Sequence, residues 1–188
     1  MAVPNPPLPV LRFAGLLACS EEALTAARKE LSQWYGLIDD MSPVIPFTFT
    51  NYYEDQMGTG LLRQWVRFAT LFAPEQLAKC KLETNMAEVL LGRQCTQSVR
   101  RPVNVDPGYV TRYKVVLATT KDHSHRVYLS EGIYGEVTLH WSNNQWTPWP
   151  WTYADYKTPQ ASVFFVRARE FYFQQLQRTI AAPARAGV

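Results

Sequence analysis

Residues 109–142 read YVTRYKVVLATTKDHSHRVYLSEGIYGEVTLHWS. Three segments of this stretch are rich in β-branched and aromatic residues, which predicts strands over 109–119, 124–130 and 133–142. Glu131-Gly132 predicts a two-residue turn, so the last two strands form an antiparallel hairpin. The stretch therefore indicates a mostly antiparallel sheet.

The residues before this stretch predict an opening strand–helix–strand unit. Residues 10–18 form an apolar run that is typical of a buried strand. Ser20 is a good N-cap, and apolar residues at helical spacing follow it as far as Gly36, which favours a helix end. Composition at 44–53 and 61–70 predicts two more strands.

Two further helices are predicted. The first begins at Pro74 and either continues to about residue 90 or breaks into two short helices around a strand at 80–84. The second begins at Thr158-Pro159 and extends to about residue 178.

The composition is that of one folded domain. The chain has 188 residues, of which 47% are hydrophobic and 19% charged, enough to bury a core without crosslinks. We predict an α+β fold in which two or three helices pack on one face of a mostly antiparallel sheet, with ferredoxin-like βαβ elements. The globular domain is expected over 10–178, between a flexible proline-rich lead at 1–9 and a flexible tail at 179–188.

Charge, cysteines and hydropathy restrict the class of protein. The formal net charge of +3 does not indicate a nucleic-acid partner. Cys19, Cys80 and Cys95 have no C-x-x-C spacing, which disfavours a disulfide framework or a cysteine zinc site. The chain lacks a signal-peptide pattern and an apolar run of about 18 residues. We therefore expect a cytoplasmic protein with no membrane partner and leave its oligomeric state open.

Several short motifs, taken as a set, resemble one protein family. They are DPGY (106–109), LATTKD (117–122), HRVYL (125–129), GIYGEVTL (132–139) and PWTYADY (150–156), with FTFTNYY (47–53) and MG (57–58) upstream. Over roughly residues 10–178 the chain is similar to an uncharacterised bacterial family that is catalogued as a domain of unknown function. The resemblance implies a bacterial source and implies no activity.

Some members of that family carry an automatic GTP-binding label, which these residues do not support. The chain has no G-x-x-x-x-G-K-[ST] loop, whose backbone amides would cradle phosphates. Thr120-Lys121-Asp122 lacks the spacer residue that precedes the aspartate of a guanine-reading motif. We therefore expect no P-loop nucleotide site.

The hairpin carries all three histidines of the chain. With a two-residue turn, His123 lies opposite His140, and His125 and Glu136 share the same surface. The three histidines could then ligate a divalent metal, or His125 and Glu136 could act as acid and base. A bulged turn would instead pair Arg126 with Glu136 as a cross-strand ion pair and leave the histidines as solvated surface residues.

Residues on neighbouring segments complete the candidate site. Asp106, in the turn signal Asp-Pro-Gly, is a third catalytic candidate or closes an Asx turn. Lys121 and Arg126 could contact a phosphate or carboxylate of a ligand, and the carboxylate of Glu54 could bind a cation. The candidate ligand-binding residues are Arg126, Lys121, Tyr109, Tyr52, Glu54 and Trp151.

The favoured function is that of a small enzyme or ligand-binding protein for an anionic, for example phosphorylated, small molecule. It predicts a concave pocket in which His125, Arg126 or Glu136 meets the segments of Asp106 and Tyr52.

A tryptophan-rich loop supports an alternative function. Four of the six tryptophans lie between residues 141 and 151. Their rings could cover the sheet and anchor the loop, or they could bind a partner. The alternative is a non-catalytic protein-interaction module that uses residues 141–156, and it predicts a flat, exposed aromatic patch.

Overall fold

In the part of the chain that the structure describes, nine strands form one sheet. A computed structural model describes residues 3–95 and 99–181, without the side chains of residues 180 and 181. It confirms the α+β class and the antiparallel sheet. The ends of the predicted lead and tail, residues 1–2 and 182–188, lie outside the described residues. Among the described helices, none combines the length and the apolar character required to cross a bilayer.

The strands follow the β-branched and aromatic runs of the sequence. They are β1 Val10–Ala18, β2 Ile38–Met41, β3 Ile45–Pro46, β4 Leu62–Phe72, β5 Val103–Val110, β6 Lys114–Thr119, β7 Val127–Ser130, β8 Ile133–Ser142 and β9 Gln145–Pro148. Their order across the sheet is β2-β4-β1-β5-β6-β8-β7, with β3 paired to β4 and β9 paired to β8.

Among the described residues, the α-helices are α1 Glu21–Tyr35, α2 Glu54–Met57, α3 Leu77–Gln94 and α4 Pro159–Ala181. The predicted cap of α1 is present, because the Ala23 amide donates to Ser20 Oγ at 3.2 Å. Helix α3 is continuous, so the alternative that interrupts it with a strand is wrong.

The first five strands contain two interleaved βαβ units, β1–α1–β2 and β4–α3–β5. Strand β1 pairs antiparallel with both β4 and β5, and β2 pairs antiparallel with β4. This is the ferredoxin-like arrangement that the sequence predicts. Strands β6 to β9 extend the same sheet beyond β5.

Both faces of β1 are buried. Because side chains alternate along a strand, Ala14 and Leu16 pack with residues of α1 and α3, whereas Leu11 and Phe13 pack with α4. Two helices therefore share one face of the sheet, as predicted, and α4 covers the opposite face.

Two strand predictions are wrong near the loops. Only Ile45–Pro46 is a strand within 44–53, because the aromatic side chains that follow pack on one another rather than across a sheet. Residues 109–119 are divided between β5 and β6, because Thr111 Oγ1 accepts hydrogen bonds from the Tyr113 and Lys114 amides and closes a turn.

The predicted turn at Asp106-Pro107-Gly108 is also wrong. These residues lie inside β5 and pair with β1. A Cβ atom on Gly108 would lie 2.6 Å from the Phe13 ring. Glycine stands here because neighbouring groups pack directly on the backbone.

Candidate functional site

A cleft of about 1100 Å³ lies between α3, the loop that follows β3, and the strands β5, β6 and β8. Four of the predicted site residues line it: Tyr52, Asp106, Lys121 and Glu136. The structure thus brings the Tyr52 segment, the Asp106 segment and the hairpin to one concave surface. The predicted residues outside the lining are His123, His125, His140, Arg126, Tyr109, Glu54 and Trp151.

The predicted register of the hairpin is wrong. Glu131-Gly132 does form a two-residue turn, with φ angles of 51° and 75°. A bulge at Leu129 then shifts the pairing, so Val127 lies opposite Gly135. Strand β7 begins only at Val127, and the residues before it have left the sheet.

The histidines lie in a column of rings rather than around one point. His123 contacts His125, and His125 stacks on Trp151 with ring centroids 5.2 Å apart. Trp151 stacks on Trp149 at 5.2 Å, and Trp149 contacts His140 at 4.3 Å. Two indoles therefore separate His125 from His140. Within residues 3–95 and 99–181, no group of three or more His, Cys, Asp or Glu side chains could hold a metal ion.

Glu136 is the buried carboxylate of the hairpin. Its Oε2 accepts a hydrogen bond from Arg126 Nε at 2.8 Å, the pair expected for the bulged alternative. His125 Nε2 lies 3.3 Å from the same oxygen without hydrogen-bond geometry. Arg126 Nη2 also donates to the Tyr153 hydroxyl at 2.8 Å. Glu136 and Tyr153 therefore line the cleft, whereas Arg126 and His125 lie next to Glu136 but outside the lining.

The other predicted residues occupy different surroundings. Tyr109 lines a second cavity of about 390 Å³ that includes Arg112. Glu54 is exposed at the start of α2. The Trp151 indole N–H donates to the Val137 carbonyl at 3.2 Å, so this ring anchors the loop to β8.

A buried arginine that is not among the predicted site residues also lines the cleft. Arg63 on β4 donates through Nε to Asp155 Oδ2 at 2.6 Å, and its Nη2 lies 2.6 Å from the same oxygen. Its Nη1 lies 3.9 Å from Asp106 Oδ2 and has no hydrogen-bond partner among the described residues. Burial lowers the pKa of Arg63, but Asp155 and other neighbours outweigh it and raise the pKa overall.

Lys81 holds Asp106 from the other side. Its Nζ donates to the Val105 carbonyl at 2.8 Å and to Asp106 Oδ1 at 3.3 Å. Burial opposes ionisation of Asp106, but Lys81 and Arg63 together outweigh it and lower the pKa of this carboxyl. The side chain of Asp106 keeps 27% of its surface exposed, so the cleft presents an ionised carboxylate to solvent.

Glu88 on α3 organises the neighbouring wall. Its Oε1 accepts from the Val105 amide at 2.8 Å, and its Oε2 accepts from Arg101 Nε at 2.8 Å. Burial raises the pKa of Glu88, although Lys81 and Arg101 act against that shift. Arg101 also donates to Asn104, so the carboxylate, the arginine and the amide form one network.

The substitution Asp106→Asn is expected to make the free energy of unfolding less dependent on pH in the acid range. Because the folded-state pKa of Asp106 lies below the ordinary value of 3.8, the unfolded state binds protons first as the pH falls. The carboxylate therefore stabilises the fold above about pH 5 and loses that contribution as the pH falls through its folded pKa. Urea midpoints measured from about pH 6 to pH 3 should decline less in Asp106→Asn than in the wild type. The exposed control Asp122→Asn should keep the wild-type slope, and an unchanged slope in Asp106→Asn would contradict the assignment.

Cations exceed carboxylates in the cleft lining. Six lining residues are basic, namely Arg63, Lys81, Arg93, Arg100, Arg101 and Lys121. Four are acidic, namely Glu88, Asp106, Glu136 and Asp155. Each of the four carboxylates has a cationic partner, whereas Arg93, Arg100 and Lys121 have no acidic partner within the described part of the chain. Lys121 Nζ donates instead to the Tyr52 hydroxyl at 2.8 Å and lowers the pKa of that phenol.

Two sequence signals could have pointed to the missed residues. Arg63 lies in a strand that also contains Leu62, Trp65 and Val66, and a buried charge requires a partner. Lys81 and Glu88 are seven residues apart on α3, which places them on one helix face with buried Leu77 and Thr84. Neither signal identifies the partner, because each partner lies on a distant segment.

Comparisons with known proteins return one family. A family model described as "Domain of unknown function (DUF4416)" matches residues 9–172. Neither a curated protein nor a solved structure matches the chain. The match spans the sheet from β1 onward and includes every residue of the cleft lining.

Proposed function

The chain belongs to the DUF4416 family, and from its cleft we propose that it binds an anionic small molecule, for example a phosphorylated one, as a ligand-binding protein or small enzyme. One observation carries this proposal: the cleft is concave and its lining has more cations than carboxylates. The bacterial source and the cytoplasmic location expected from the sequence belong to the same proposal.

The distribution of charge supports an anion rather than a cation as ligand. The carboxylates are already held by arginine or lysine, so a cation would compete with a resident partner for each of them. Lys121, Arg93 and Arg100 would gain a partner when an anion binds. A cleft of about 1100 Å³ is slightly larger than the pockets of about 300–1,000 Å³ that usually hold a small molecule.

The same geometry limits the chemical roles of the candidate catalytic residues. Asp106 stays ionised between Lys81 and Arg63, so it would accept a hydrogen bond from the ligand rather than donate a proton. Glu136 would act from a fixed position, since Arg126 holds it. His125 lies outside the lining and would act through Glu136 rather than on the ligand.

The tryptophan-rich loop supports the alternative less well. Trp146 is buried, and Trp149 and Trp151 stack face to face with an interplanar angle of 7°. Rings stacked in this way hold one another and anchor the loop. A protein-interaction module would need these faces free.

Anionic ligands are expected to raise the melting temperature. A ligand at about 100 times its Kd stabilises the native state by about 2.7 kcal/mol, and thermal-shift assays with inorganic phosphate and phosphorylated metabolites would detect it. Lys121→Met and Arg100→Met should each weaken the affinity about tenfold, because each removes one charge-assisted contact.

A matched control separates a local effect from a general effect of charge. Lys29→Met removes an exposed lysine of α1 outside the cleft and should leave the affinity unchanged. Equal weakening by all three variants, or no stabilisation by any anion, would overturn the proposal.

A further inference from the structure

Four aromatic side chains form one wall of the cleft. Phe47, Phe49, Tyr52 and Tyr53, here called the aromatic wall, follow β3 and all line the cleft. They contact one another edge to face, with centroid distances of 5.5 Å for Phe47–Phe49, 6.0 Å for Phe47–Tyr53 and 5.1 Å for Tyr52–Tyr53. Such contacts fix the rings relative to one another.

Much of this wall is open to solvent. Phe49 is 40% exposed and Tyr52 is 65% exposed. Tyr153, which lines the same cleft from the segment after β9, is 44% exposed. Large exposed rings gathered inside a concave site indicate a ligand with an apolar or aromatic part.

A cation lies directly beside the exposed rings. Lys121 Nζ lies 4.1 Å from the centroid of the Tyr52 ring, in addition to its hydrogen bond with the Tyr52 hydroxyl. This contact joins the loop before β7 to the aromatic wall. An anionic group bound at Lys121 would therefore hold the rest of the ligand beside Tyr52. The aromatic wall continues from Tyr52 through Tyr53 and Phe47 to Phe49.

We propose that the ligand of the cleft is an aryl anion, a planar aromatic ring that carries a phosphate or a carboxylate. Lys121 binds the anionic group, and the exposed rings of Phe49 and Tyr52 contact the aromatic ring of the ligand. This inference rests on the proposed function and adds the ring to it.

The test compares ligands of equal charge and similar size. Phenyl phosphate and cyclohexyl phosphate differ in the planarity and π-electrons of the ring, and inorganic phosphate reports on charge alone. Calorimetric titration should give phenyl phosphate about fivefold to tenfold tighter binding than cyclohexyl phosphate. Benzoate and cyclohexanecarboxylate repeat the comparison for a carboxylate. The anionic group is identified by the pair in which the aryl compound binds more tightly than its cyclohexyl counterpart.

Variants of the wall show which feature of the protein makes the distinction. Phe49→Leu and Tyr52→Leu should bring the ratio of the two affinities close to one, whereas Tyr52→Phe should keep it because the ring remains. Tyr128→Leu is the matched control, since Tyr128 is 58% exposed and lies on β7 outside the cleft lining. Loss of the ratio in Tyr52→Phe would assign the preference to the hydroxyl and overturn the inference.

The outcomes separate the two proposals. Equal affinities for phenyl and cyclohexyl phosphate would remove the ring requirement and leave anion binding intact. If none of these anions bound the wild-type protein, the proposed function would be wrong, and the inference that rests on it would be wrong as well.

Discussion

Replacing Arg63 with methionine is expected to lower the free energy of unfolding by about 3–5 kcal/mol, the cost of breaking a buried ion pair by removing one partner. Asp155 is only 2% exposed, and within residues 3–95 and 99–181 its one cationic partner is Arg63. In the variant, this carboxylate must stay charged in an apolar site or take up a proton. Urea denaturation at neutral pH measures the loss.

Two further variants make this result interpretable. Arg178→Met changes an exposed arginine near the end of α4 and should alter the stability by less than about 0.5 kcal/mol. Adding Asp155→Asn to Arg63→Met should recover part of the loss, because the amide carries no charge. A loss below about 1 kcal/mol in Arg63→Met would show that Asp155 does not depend on the arginine.

Alanine at position 108 is expected to have an effect of similar size for a different reason. Its Cβ atom would approach the Val116 carbonyl oxygen and lie 2.6 Å from two atoms of the Phe13 ring. Phe13 is fully buried against Phe165, and the other neighbour is backbone, so neither can move away cheaply. We expect a loss of about 3 kcal/mol or more, at or above the usual cost of overpacking. Calorimetric melting and the soluble yield report on it.

Gly92→Ala is the matched control for that substitution. Gly92 lies in α3, and a Cβ atom there would meet its nearest neighbours at 3.7 Å, an ordinary contact distance. Because alanine favours a helix more than glycine does, we expect a gain of up to about 1 kcal/mol. If both variants were equally stable, the close packing around Gly108 would not be a constraint on the fold.

Local signals predicted the parts of the fold that local interactions determine. The Ser20 cap, the apolar run of β1 and the two-residue turn at Glu131-Gly132 all depend on neighbours in the sequence, and all three are present. The signal of Asp106-Pro107-Gly108 failed because pairing with β1, a distant segment, overrides the tendency of these residues to turn. The bulge at Leu129 was not predictable either, because no local sequence pattern indicates it.

The site was predictable to a similar extent. Asp106 and Lys121 are predicted because they are polar residues beside predicted strands, and Glu136 because the predicted hairpin places it on the surface of the histidines. The cations that hold the cleft together are not predicted, since Arg63 meets Asp155 across 92 residues and Lys81 meets Asp106 across 25. Only the fold reveals such pairs.

The position of α4 has a consequence for the synthesis of the chain. Strand β1 leaves the ribosome long before α4, yet the Phe13 ring needs Phe165, at 5.0 Å, as its partner. Until α4 emerges, one whole side of the growing sheet offers apolar surface to chaperones and to other nascent chains. Folding of this sheet during translation is therefore expected to be complete only after α4 has emerged from the ribosome.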